Sequence, residues 1–134
     1  MLVLDNNLLS DYLNGVPAAE QFLVEYEQER WAVSSIVLYE ALIGSLYDHI
    51  DVTPEETQRA VTTSMEILEV TGRTASEGMG LQRQLLERGE PVNQLDALIA
   101  GSAVEHGATF ATAEKQFWND AVQSVLSVAE YDPH

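Results

Sequence analysis

Residues 1–15 read MLVLDNNLLSDYLNG, and they set the pattern that the rest of the chain repeats. The first five residues are apolar apart from the closing Asp5, which indicates a short buried strand. Apolar residues then recur at helical spacing, and Asn14-Gly15 marks the end of that helix. A strand that leads directly into a helix is typical of α/β proteins.

The same alternation of strand and helix continues to the end of the chain. Further strands are predicted at residues 31–34, 67–70, 109–111 and 122–128, and the residues from Tyr131 onward are predicted to form a loose tail. Helices are predicted at residues 8–13, 17–30, 54–65 and 74–88, from the Ser34-Ser35 cap to about residue 50, from Asn93 to Gly107, and over a short segment at 114–118. This order predicts a three-layer α/β/α sandwich with a central, mostly parallel sheet of four to five short strands.

Length and composition indicate a single globular domain spanning residues 1–134. The hydrophobic content of 46% is typical of a packed globule. The chain has no cysteine, which excludes disulfides, thiolate zinc sites and cysteine nucleophiles. We expect a soluble, cytoplasmic protein with no membrane association, because no basic leader precedes the first apolar residues and no apolar run approaches the ~18 residues of a spanning helix.

The charge balance is strongly acidic, with 22 Asp and Glu against 6 Lys and Arg and a formal net charge of −16. Such a deficit argues against a nucleic-acid partner, because phosphate binding depends on Lys and Arg. Adaptation to a very salty cytoplasm is an alternative explanation, since at ~1 M salt the screening length is only ~3 Å. If the partner is RNA, Arg73, Arg83 and Arg88 on one predicted helix are the expected contacts.

Four acidic residues stand close to where active sites of parallel sheets form, beyond the carboxyl ends of the strands. Asp5 follows the first strand, Glu40 lies early in the helix after the second, and Glu114 follows the fourth. Asp96 lies in the first turn of another helix. Converging carboxylates repel one another unless a cation neutralises them, and Mg²⁺ and Mn²⁺ prefer oxygen ligands of this kind.

Each of these acids also has a purely structural interpretation. Glu40 interrupts an apolar run, so it is either buried at a site or exposed on a thin stripe of its helix. Asp96 lies three residues after Asn93 and could complete a relative of the capping box. Asp5 could begin a turn, and Glu114 could be a first-turn acid behind a threonine cap.

Other catalytic constellations are not found in the sequence. The histidines, His49, His106 and His134, are scattered, and neither a G-x-S-x-G elbow nor a phosphate-binding glycine loop occurs. The aromatic residues are dispersed along the chain, so an aromatic stacking platform for RNA is not predicted.

Three blocks of the sequence resemble those of PIN domains, and of VapC-type toxins in particular. LDNNLLSDYLNG (4–15) resembles the first block, AVSSIVLYEALIG (32–44) the second, and RGEPVNQLDALIAGSAVEHGATFAT (88–112) the third and most specific. In the first block Asn7 matches the family's polar pair, whereas Asn6 replaces the usual Thr. Glu114 stands where the family has Asp or Asn, and Phe117 stands where the family also favours Phe.

The resemblance implies a Mg²⁺- or Mn²⁺-dependent endoribonuclease that is the toxin of a type II toxin–antitoxin pair. Its metal-binding and catalytic residues would be Asp5, Glu40, Asp96 and Glu114, with Asn7 and Thr112 in support. The resemblance also implies an RNA substrate such as tRNA or another structured RNA, a small antitoxin protein that blocks the site, and a homodimer.

Three alternatives remain open from the sequence. A non-catalytic PIN-like module that binds RNA or a partner would bind metal without nuclease activity. A different metal-dependent phosphohydrolase would act on a small phosphoester and leave RNA intact. An acidic structural protein would show no change in melting temperature with a divalent ion, because only a bound ligand stabilises the folded state.

Overall fold

The computed structural model describes residues 1–134 and contains one five-stranded sheet. Its strands are β1 (Leu2–Leu4), β2 (Trp31–Ser34), β3 (Glu66–Leu68), β4 (Thr109–Thr112) and β5 (Val128–Glu130). They lie in the order β3-β2-β1-β4-β5, and all neighbouring pairs are parallel. The central strand β1 is fully buried, as expected for a strand covered on both faces. The predicted α/β class with a parallel sheet is confirmed.

The helices connect these strands through crossovers. They are α1 (Asn6–Leu13), α2 (Pro17–Val24), α3 (Ser35–Leu46), α4 (Pro54–Ser64), α5 (Gly72–Glu87), α6 (Gln94–Glu105) and α7 (Asp120–Gln123), with a 3-10 turn at Lys115–Phe117. The chain first moves outward from β1 to β3 and then returns to β4 and β5, so right-handed crossovers put α1 to α4 on one face and α5 to α7 on the other. None of these helices is long and apolar enough to cross a membrane.

The strands β1 and β4 are parallel, hydrogen-bonded neighbours. Successive strands are added on one side of β1 as far as β3 and then, from β4 onward, on its other side, so the strand order switches between β1 and β4. In open parallel sheets, the carboxyl ends of two such strands border the crevice in which ligands bind. Leu4 is paired with Ala111, so Asp5, the first residue after β1, lies beside Thr112, the last residue of β4. The topology therefore brings together two of the sequence-predicted acidic segments.

The prediction of a strand over residues 122–128 is wrong. Residues 120–123 form α7 instead, because the Asn119 side chain accepts a hydrogen bond from the Val122 amide at 2.9 Å and caps a helical turn. The strand β5 begins only at Val128.

The C-terminal tail is also better anchored than predicted. Tyr131 is 1% exposed. Its amide donates to the Thr112 carbonyl at 3.0 Å, and its hydroxyl donates to Asp11 Oδ2 at 2.7 Å. Asp11 therefore takes part in an internal contact that ties the end of the chain to α1.

Several predicted helix boundaries shift because of local turn chemistry. The helices α2 and α3 end at Val24 and Leu46, before the predicted ends near residues 30 and 50. Asp48 has a φ of 61°, a left-handed conformation that prevents α3 from continuing. The helix α5 begins at Gly72, two residues early, because Thr71 and Thr74 form a reciprocal cap.

Candidate metal centre

Asp5 is held rigidly at the carboxyl end of β1. The residue is only 4% exposed. Its Oδ1 accepts from the Asn6 amide at 2.8 Å, which caps α1, and its Oδ2 accepts from the Thr112 hydroxyl at 2.7 Å. The turn interpretation is thus partly right, because Asp5 does cap the helix that follows it, but it is also bonded across the switch point to β4.

Thr112, the last residue of β4, connects Asp5 to Glu114 through hydrogen bonds. The Thr112 hydroxyl, which donates to Asp5, also accepts from the Glu114 amide at 3.0 Å. The Glu114 carboxylate accepts from the Asn7 side chain at 3.1 Å. One buried hydroxyl therefore fixes the relative positions of two of the predicted acids, and Asn7 supports the second of them.

Asp96 lies in the first turn of α6, but it does not complete a capping box. Asn93 caps the helix by accepting from the Leu95 amide at 2.9 Å. The Asp96 carboxylate instead accepts from the Gln116 side chain at 2.7 Å, which links α6 to the turn after β4. Sequence analysis missed Gln116, because nothing in its local sequence indicates a partner twenty residues away.

Glu40 is not on an exposed stripe of α3. Its side chain is partly buried, and its Oε1 atom is buried without a hydrogen-bond partner. A buried carboxylate oxygen without a partner is costly unless a proton or a cation satisfies it. The orphaned oxygen is therefore the observation that best fits a cation bound at this position.

The acids influence one another's titration. Burial raises the pKa of Asp5 to about 6, against the opposing hydrogen bonds from Thr112 and Asn6, and the charges of Asp96 and Glu114 add to the increase. Burial also raises the pKa of Glu40, and the charges of Asp5 and Asp96 add to it. The four predicted acids therefore lie close enough for their charges to interact, and Asp5 interacts with each of the other three.

The four acids do not form a closed set of ligands. No group of three or more His, Asp or Glu side chains has an arrangement that could hold a metal ion as it stands. Mutual repulsion between carboxylates favours such an open arrangement in the absence of a cation. The donor set nevertheless fits a hard divalent cation, since it consists of carboxylate oxygens and an amide.

Two clefts open beside the acids. The larger, of about 930 Å³, is lined by Asn7, Glu114, Gln116 and the only lysine, Lys115. The smaller, of about 350 Å³, is lined by Glu40 and residues of α1 and α3. Glu114 and Glu40 are therefore each reached from a cleft.

The predicted RNA-contacting arginines of α5 are not gathered at these clefts. Arg83 lines a separate apolar groove between α5 and α6, of about 480 Å³. The Arg88 guanidinium donates to the Gln84 carbonyl of its own helix at 3.1 Å. Lys115 is therefore the only lysine or arginine that lines either of the two clefts beside the acids.

Comparison with known proteins gives the same architecture. A sequence model of the PIN domain family matches residues 2–120, whereas no curated protein sequence matches the chain. Among solved structures, VapBC2 from Rickettsia felis bound to a promoter DNA fragment has a TM-score of 0.77 at 21% identity, with 98% of each chain covered. A toxin–antitoxin complex from Klebsiella pneumoniae has a TM-score of 0.75 at 21% identity, covering 100% of this chain and 98% of its own. VapBC-5 from Mycobacterium tuberculosis has 0.67 at 25% identity, covering 96% and 94%.

Proposed function

This chain belongs to the PIN domain family, a family of nucleases, and on that premise we propose that it is a divalent-metal-dependent endoribonuclease that hydrolyses RNA phosphodiester bonds. The observation that carries the proposal is the buried, unpartnered Oε1 of Glu40 beside Asp5 and Asp96 at the switch point of the sheet. A divalent cation at this place would stabilise the negative charge that develops on the phosphate during hydrolysis.

Asp5, Glu40 and Asp96 would hold Mg²⁺ or Mn²⁺, and Glu114 would reach the ion directly or through water. Bound there, the cation supplies an activated water and stabilises the charge that develops on the phosphate. Thr112 orients Asp5, and Gln116 orients Asp96, through the hydrogen bonds described above. These bonds position the carboxylates before the ion arrives, which lowers the reorganisation needed on binding.

The pH dependence of Mn²⁺ affinity follows from the raised pKa of Asp5. A proton competes with the cation for Asp5, so we expect affinity to weaken as the pH falls through about 6, by about tenfold per pH unit below it. In the absence of metal, the free energy of unfolding has the opposite dependence on pH and decreases as the pH rises. Because the folded pKa lies above the unfolded one, the contribution of Asp5 to stability is present at low pH and is lost as the pH rises through about 6.

Calorimetric titration of Mn²⁺ between pH 5 and 8 measures this dependence. Asp120→Asn is the control, because Asp120 is an exposed first-turn acid of α7 that does not belong to the cluster of four acids, called here the acid group: Asp5, Glu40, Asp96 and Glu114. This variant should keep the wild-type profile. An affinity that does not change between pH 5 and 7 would contradict the assignment of Asp5 as a ligand.

The biological role we propose is that of the toxin in a type II toxin–antitoxin pair, acting in the cytoplasm on tRNA or another structured RNA. Support comes from the similar structures, which include a toxin–antitoxin complex from Klebsiella pneumoniae and a member of the VapBC family of toxin–antitoxin systems from Mycobacterium tuberculosis. A small antitoxin protein and a homodimeric state belong to the same proposal. The exposed Met79 and Leu86 of α5 offer apolar surface for such protein contacts.

The direct test is incubation of the purified protein with labelled tRNA and structured RNA in concentrated KCl with Mn²⁺. We expect discrete products that disappear when EDTA is added. A folded protein that yields no product from any of these RNAs would count against the nuclease assignment.

A non-catalytic PIN-like module is the second candidate, favoured by the open arrangement of the acids. Such a module would bind RNA or a partner without cleaving either. A rise in melting temperature with Mn²⁺, together with no cleavage of RNA, would identify it.

Adaptation to high salt accounts for the acidic surface in this proposal. Only two ion pairs join a cationic group to an acid, Met1 with Glu29 and Arg30 with Glu66, so most of the negative charge is uncompensated. We expect the unfolding midpoint in urea to rise as KCl is increased from 0.1 to 2 M, because screening weakens this repulsion. A midpoint that is highest at the lowest salt would contradict the hypothesis.

A further inference from the structure

The smaller cleft beside Glu40 has the character of a subsite for a nucleobase. It is lined by Tyr39, Ile43 and Tyr47 from the α3 region, by Asn6 and Ser10 from α1, and by His49. We propose that this cleft binds an unpaired base of the RNA strand whose phosphate lies at the acid group. The inference rests on the proposed function and specifies how the same site recognises its substrate.

The aromatic side chains stand on one face of the helix. Tyr39, Ile43 and Tyr47 are spaced four residues apart, so they line up over two turns of α3 and its cap, about 12 Å from first to last. Tyr39 is 63% exposed and Tyr47 is 66% exposed, which leaves ring surface free for a ligand. No stacking platform was predicted from the dispersed aromatic residues, whereas the structure places Tyr39 and Tyr47 beside one cleft.

The charges of the cleft favour a base over a phosphate. Neither lysine nor arginine lines it, and Glu40 is one of its walls. A phosphate there would be repelled, but a neutral base can stack on a tyrosine ring, and every base presents such a face. The amide of Asn6, the hydroxyl of Ser10 and the imidazole of His49 supply donors and acceptors for the base edge.

The position of the cleft connects base binding to the chemistry. Glu40 belongs both to the cleft and to the acid group, so a base in the cleft adjoins the phosphate to be cleaved. A chain with only six basic residues has few groups with which to bind the RNA backbone. Stacking on Tyr39 and Tyr47 therefore supplies affinity that the surface charge does not.

The test compares Tyr39→Ala and Tyr47→Ala with Tyr39→Phe and Tyr47→Phe, which keep the rings. Leu46→Ala is the matched control, because Leu46 lies on the same helix and is 60% exposed but does not line the cleft. Anisotropy of a short, labelled, unstructured RNA in EDTA gives Kd, and cleavage with Mn²⁺ gives KM and kcat. We expect each Ala variant to raise Kd and KM about 5- to 100-fold with kcat little changed, and the other variants to behave as wild type.

An RNA of the same length with abasic nucleotides provides a second readout. The wild type should bind it as weakly as the Ala variants bind the intact RNA. Unchanged Kd and KM in both Ala variants, with cleavage intact, would overturn the base subsite and leave the nuclease proposal standing. A change of oligomeric state in the Ala variants, or an equal loss in Leu46→Ala, would instead assign this face to protein contacts. A wild type that neither binds nor cleaves RNA would overturn both proposals.

Discussion

Asp96→Asn is expected to lower the rate of RNA cleavage by about two to three orders of magnitude while the protein remains folded. The substitution removes the negative charge that a divalent cation requires but keeps the size of the side chain. The amide oxygen of asparagine can still accept from Gln116 Nε2, so the link between α6 and the turn after β4 is retained. The effect should therefore fall on metal binding and turnover rather than on stability. Single-turnover cleavage with saturating RNA and Mn²⁺ measures the loss.

Asp120→Asn is the matched control for this change. Asp120 is also an acid in the first turn of a helix, but it is exposed and makes no contact with the acid group. We expect its cleavage rate to equal that of the wild type. If Asp96→Asn were to cleave RNA at a near-normal rate, Asp96 would be removed from the proposed site. Loss of the folded state, with the acceptor for Gln116 still present, would show instead that the charge of Asp96 serves mainly stability.

Gly101→Ala is expected to lower the free energy of unfolding by about 2 to 3 kcal/mol. A Cβ atom on Gly101 would lie 2.8 Å from both the Cα and the amide nitrogen of Gly78, and 3.2 Å from the Thr74 carbonyl oxygen. These contacts are with backbone atoms of α5, so no side-chain rotation relieves them, and the two helices must separate. The steric cost exceeds the gain of up to about 1 kcal/mol that alanine normally brings to a helix interior.

Gly80→Ala serves as the control because Gly80 lies in α5 and a Cβ atom there meets nothing within 4 Å. In that variant the helix-propensity gain is unopposed, and we expect stability to rise by about 0.5 to 1 kcal/mol. Urea unfolding of both variants at constant high salt measures the difference. Equal stability of the two variants would mean that α5 and α6 can separate without cost.

The acids of the site differ in how far the sequence could identify their surroundings. The position of Asp5 after a buried strand and of Glu114 after another was readable from local pattern alone, because parallel strands end at a common edge. The choice for Glu40 between a buried and an exposed position depended on which neighbours α3 packs against. Local sequence does not contain that information, since it concerns contacts between distant segments.

The sequence by itself determined the α/β class and, apart from α7, the order of strands and helices, because hydrophobic periodicity and capping residues act over a few neighbouring positions. The family followed from the resemblance of three sequence blocks, and the family model confirms it. Only the tertiary structure decided the contacts made across the sheet. The bond from Gln116 to Asp96, the burial of Tyr131 against Asp11, and the close approach of Gly78 and Gly101 each join residues well separated in the chain. Their energies come from packing and from hydrogen bonds between elements, which exist only once the layers have assembled.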